Sequence, residues 1–89
     1  MDSNHLTFTG AAGKIMWRYH EAASVSSWSF TPDPEGGGRL TATVIQMDAF
    51  RAAQQPLTFE VPRPIGAPWV WPIHSLQVTG SSLSARLGP

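Results

Sequence analysis

Lys14-Ile15-Met16-Trp17-Arg18-Tyr19-His20 is the stretch on which the fold turns. A backbone whose side chains repeat every two residues places Ile15, Trp17 and Tyr19 on one face and Lys14, Arg18 and His20 on the other, the pattern of a strand with one buried and one wet face. The same period recurs on both sides of it. Leu6 and Phe8 share a side within His5–Thr9, Leu57, Phe59 and Val61 share one within Pro56–Val61, and Ser24–Thr31 sets Trp28 and Phe30 opposite Val25, Ser27 and Ser29. The weak first half of that last segment leaves its register open to slippage. Arg39–Met47, rich in Thr, Val and Ile, has useful side chains on both faces, which predicts a central strand or a member of a closed barrel.

Glycine and proline punctuate these runs. Gly10-Ala11-Ala12-Gly13 reads as a turn or bulge, residues 32–38 as a long hairpin loop, and residues 62–68 as an exposed extended loop whose prolines remove ladder donors. Trp69-Val70-Trp71 opens a further strand that Pro72 bends or places at an edge. Ser75–Thr79, the turn at Gly80-Ser81 and Leu83–Leu87 then predict a C-terminal hairpin. Residues 48–55 leave two readings open: Asp48 caps one or two helical turns that stop before Pro56, or the strand runs on to Phe50 and turns. The expected fold class is all-β, a small antiparallel barrel or sandwich of about six or seven short strands, with or without one short helix at 48–55. Eighty-nine residues leave room for one core. Residues 1–4 are expected to fray and residues 5–89 to form a single small β domain.

Composition narrows the function classes. The formal net charge is zero, and Lys14, Arg18, Arg39, Arg51, Arg63 and Arg86 are spread along the chain, so no basic run marks a nucleic-acid footprint. The chain has no cysteine, which removes disulfides, thiolate chemistry and cysteine-ligated zinc and leaves packing to hold the fold. No basic start leads into an apolar segment and no stretch has the length of a membrane span, so a cytoplasmic, membrane-free protein is expected.

Candidate chemistry is sparse. His5, His20 and His74 lie far apart in sequence, and His20-Glu21 lacks the spacing that puts two histidines on one helical face. Asp33 and Glu35 do not reproduce a calcium loop, Gly36-Gly37-Gly38-Arg39 leads into strand residues rather than a helix, and the serines at 24, 26, 27 and 29 have no nucleophile-elbow context. No catalytic residue, metal ligand or cofactor is assigned, and the protein is expected not to be an enzyme. The enzymatic alternative is an oligomeric pore at which copies of His20 or His74 converge.

The aromatic residues carry more. Trp17, Trp28, Trp69 and Trp71 are many for this length. Trp69 and Trp71 share a face in a regular strand, and Pro62-Arg63-Pro64 and Pro68 hold the chain before them extended. These residues predict a platform for another protein with Arg63 as a donor at its rim, and the interface candidates are Trp69, Trp71, Arg63, Pro64 and Trp28. The bland alternative has both tryptophans plugging the barrel while the prolines turn a corner. Small size, low charge and exposed sheet edges favour self-association. The expected function is a non-catalytic protein-interaction or structural adaptor module that binds another protein or its own copies. The alternative is single-stranded nucleic-acid binding, with Trp17, Trp28, Trp69 or Trp71 stacking on bases and Arg18, Arg39, Arg63 and Arg86 meeting phosphates. Small-ligand carriage stands behind both.

Overall fold

The computed structural model describes residues 7–88, so the fraying expected at 1–4 and the strand start at His5-Leu6 lie outside the described residues. The chain forms β1 (Phe8–Gly10), β2 (Gly13–Trp17), β3 (His20–Pro32), β4 (Gly38–Met47), α1 (Ala49–Ala52), β5 (Leu57–Val61), β6 (Trp69–Thr79) and β7 (Ser82–Leu87). All pairings are antiparallel. Around the barrel the order is β2-β3-β4-β7-β6-β5, with β5 pairing back to β2, and β1 lies beside β3 as an extra strand. Of the two architectures expected, the chain adopts the closed barrel, which leaves far less exposed edge than two open sheets.

β1 and β2 run along the same edge of β3 in one register from Phe8 to Ile15, Phe8 opposite Phe30, Gly10 opposite Trp28, Gly13 opposite Val25 and Ile15 opposite Ala23. Ala11-Ala12 is therefore a break in a continuous edge, not a reversal of direction. β2 ends at Trp17, which pairs with His20 across a two-residue turn. Tyr19, expected inward, stands in that turn and is 96% exposed, while Arg18 takes φ 58°. Short hairpins need positive φ to match the twist of their strands, so turn geometry overrides the alternation.

One bulge at Ala22, where the pairing with β2 shifts after Ile15, leaves Ala22 and Ala23 both buried, and two further shifts reset the side-chain parity. A register shift around Ser26, relative to β4, inserts one residue, so Val25 is buried although regular alternation set it opposite Trp28 and Phe30. A second shift at His74 lets Leu76 and Val78 pack against the same core as Trp71 and Ile73, despite the change from odd to even positions. Ile15, Leu40, Phe59, Leu83 and Leu87 form the centre of that core, each 2% exposed or less. No polar or charged residue is buried among the described residues.

The short helix expected as one of two readings is present. The Asp48 carboxylate accepts from the Arg51 backbone N–H at 3.0 Å, and Phe50 meets the Trp17 ring edge-on at 6.1 Å. Asp48 N–H also donates to the Ala22 carbonyl, tying the helix to the start of β3. A single turn has little stability of its own, so the cap carries a large share. Asp48→Ala is expected to lower stability by about 0.5–2 kcal/mol, read as a lower urea midpoint at unchanged slope. An unchanged midpoint would mean that the contacts of Phe50 and Arg51 hold the turn unaided. No helix among the described residues is long and apolar enough to cross a membrane.

Candidate functional site: an aromatic barrel mouth

At one end of the barrel β4 begins at Gly38 opposite Leu87 at the end of β7, β3 ends at Pro32, and β6 begins at Trp69 opposite Val61. The strand alternation turns Trp28 and Phe30 of β3, Phe59 of β5 and Trp69 and Trp71 of β6 toward this end, and Phe8 of β1 joins them at the rim. These rings border an open cavity of about 440 Å³, completed by Val61, Leu87, Thr9 and Gly10. Thr9 is the only residue of that lining with a polar aliphatic side chain, and strand alternation turns that side chain to the outer face beside Ser29. The cavity presents ring faces and methyl groups rather than charge.

Trp71 is the hub. It stacks on Phe30 at 6.4 Å and on Phe59 at 6.1 Å, and Trp69 leans against it at 6.3 Å. Phe59, 1% exposed at the floor, meets Trp28 edge-on at 5.7 Å. Offset and edge-on pairs are the favoured arrangements of ring quadrupoles and add stabilisation beyond the area they bury. Trp28 is anchored a second way, its Nε1–H donating to the Ala12 carbonyl at 3.1 Å. Gly10 lies directly beneath that indole, where a Cβ would overlap the ring. Phe8 and Trp69 stay half-exposed, at 53% and 51%.

Arg63 braces the rim from behind. Its guanidinium lies over the Trp69 ring, 5.5 Å from the centroid, and its Nε–H donates to the Ala67 carbonyl at 2.7 Å. Gly66, at φ 90°, passes close beneath Arg63 and lets the loop fold back on itself. Pro64 is exposed in that loop and is not among the lining residues.

The structure thus brings Trp28, Trp69, Trp71 and Arg63 to one end of the barrel. The residues of the nucleic-acid alternative are divided. Trp17 pairs with Leu57 at the opposite end of β2 and β5, where Arg18 lies 5.5 Å from its ring. Its Nε1 is buried without a hydrogen-bond partner among the described residues. Arg39 and Arg86 sit directly opposite each other on the outer wall of β4 and β7, and Arg86 is ion-paired with Asp33. His20 rests against Trp17, and His74 occupies the β6 bulge against Gly88.

Compared with known proteins, the chain matches no family model, no curated protein and no solved structure. The site therefore rests on its own geometry. Sequence reasoning did not single out Phe8, Phe30, Phe59 or Gly10 as members of it. Alternation already marks Phe30 as sharing a face with Trp28 and Phe59 as inward. That these rings meet Trp71 depends on which strands become neighbours when the barrel closes.

Proposed function

We propose that this protein is a non-catalytic binding module whose barrel mouth takes a small, uncharged apolar ligand. The observation that carries this is an open cavity walled by six aromatic rings, with Trp71 stacked at its centre. A volume of about 440 Å³ falls within the roughly 300–1,000 Å³ typical of small-molecule sites, and barrel mouths are a common place for them. Ring faces and edges presented together suit a planar aromatic group, since it can stack on one wall while its edge meets another.

A second reading has its own observation. Half-exposed Phe8 and Trp69 carry the apolar surface out of the cavity onto the rim, and Ile65 in the adjoining loop is 87% exposed. On that reading the cavity is the anchor pocket of a protein interface and receives one apolar side chain from a partner. The nucleic-acid alternative draws less support, because of its arginines only Arg63 stands at the aromatic mouth, while Trp17 and Arg18 lie at the opposite end and Arg39 and Arg86 on the outer wall.

Titration with N-phenyl-1-naphthylamine, an uncharged planar dye that brightens in apolar surroundings, separates the first two. Saturable binding of one dye per chain is expected, with Kd of about 10 µM, near 7 kcal/mol. Trp69→Ala is expected to weaken it about tenfold by removing one wall. A folded protein that shows no saturable dye binding would remove the small-ligand reading and leave the rim as a protein-contact surface.

A further inference from the structure

The barrel closes over only part of β6. β5 pairs with Trp69–Ile73, whereas Ser75–Thr79 pairs with β7 alone, and no described strand lies on its other side. Pro56, which has no N–H to donate, precedes β5 and stops the pairing there. A two-residue turn at Gly80-Ser81 makes Thr79 and Ser82 a hydrogen-bonded pair, as Val44 N–H donating to the Ser81 carbonyl also requires. Leu76 and Val78 therefore aim their backbone N–H and C=O groups away from β7, along the unpaired edge.

Natural edges are blunted by lysine, proline or a cover. Ser75-Leu76-Gln77-Val78-Thr79 carries no charge and no proline. Read antiparallel against itself about Gln77, the segment sets hydroxyl opposite hydroxyl, aliphatic opposite aliphatic and amide opposite amide, the matching that favours cross-strand pairs. The outer face agrees. Thr9, Ser29, Thr41, Ser84 and Gln77 form one cross-strand row of uncharged polar side chains that runs across five strands and ends at this edge. Within this segment and row, a copy placed alongside sets no like charges against each other.

We infer that the Ser75–Thr79 edge of β6 is a homodimer interface, at which two copies pair antiparallel about Gln77 and Leu76 of one copy exchanges backbone hydrogen bonds with Val78 of the other. The two aromatic mouths take no part, so the dimer stands independently of ligand binding there.

Analytical ultracentrifugation from about 5 µM to 1 mM, a span that brackets weak and moderate dimers, tests this together with amide hydrogen exchange. A monomer–dimer equilibrium is expected, with Leu76 and Val78 amides exchanging more slowly as concentration rises. Gln77→Lys, which sets two ammonium groups face to face across the dyad, is expected to weaken association at least about tenfold. Ser84→Lys, one strand inward on the same row, leaves it within about twofold. Circular dichroism confirms that both variants are folded, and the exchange readout on the native chain needs no variant. A monomer throughout the range overturns the inference. So does a dimer that survives Gln77→Lys, or one that leaves the Leu76 and Val78 amides unprotected.

Discussion

Phe59→Ala is expected to lower the stability of this protein by about 3–5 kcal/mol, the usual cost of truncating a buried aromatic residue. The ring is 1% exposed, stacks on Trp71 and meets Trp28 edge-on, so two walls of the space it leaves belong to side chains engaged elsewhere. On a third side Gly13 approaches so closely that a Cβ there would come within 2.8 Å of the ring. Such a site collapses poorly, which places the loss toward the upper end of the range. Against a total stability of roughly 5–15 kcal/mol for a domain, the variant should unfold at a far lower urea concentration, measured by tryptophan emission. A loss below about 1.5 kcal/mol would show that Trp28 and Trp71 relax into the gap and that the mouth is softer than its ring contacts imply.

Gly10→Ala is expected to abolish dye binding at the mouth while leaving the barrel folded. The added methyl occupies the space of the Trp28 indole, which is held between the Ala12 carbonyl and the Phe59 ring. Displacing the indole breaks its hydrogen bond and tilts one wall of the cavity. Overpacking of this kind costs about 1–3 kcal/mol, less than the Phe59 truncation, whereas affinity should fall by more than about tenfold because the wall itself moves. Thr9→Ala, its neighbour on β1 with an exposed side chain, serves as the control and should change stability by less than about 0.5 kcal/mol. Unaltered dye affinity in Gly10→Ala would place the binding site away from Trp28.

Much of the architecture is written in local pattern. Alternation at Ile15 and Trp17 and at Leu57, Phe59 and Val61 marks inward faces that the barrel keeps. The loop marked at 62–68 stays a loop, and that marked at 32–38 shortens to 33–37 because Pro32 and Gly38 pair as the last residue of β3 and the first of β4. Residues 48–55 admit a helix or an extended turn alike on local pattern, and the helix forms with the Asp48 carboxylate satisfying an otherwise unpaired backbone N–H. Where local pattern misleads, a neighbour is responsible. Tyr19 leaves the core because Trp17 and His20 close a tight turn, Val25 enters it because β3 bulges against β4, and Leu76 joins Ile73 on the inside because β6 bulges at His74. Bulges arise from the pairing of two strands and have no signature in either strand alone.

The candidate site divides along the same line. That Trp69 and Trp71 share a face, and that Arg63 stands near them, follows from a period of two and a short proline-rich loop. That Trp28, Phe30 and Phe59 complete a cavity around Trp71 follows from ring closure, which brings together strands far apart in sequence. By itself the sequence determined the element types, the inward faces and an aromatic surplus with no catalytic constellation, because these depend on contacts within a few residues. Only the tertiary structure decided that most of the surplus lines one mouth, that the arginines of the nucleic-acid alternative are divided among three places and that half of β6 has a described strand on one side only. Those outcomes depend on strand order and register, which are set by the mutual packing of the whole core.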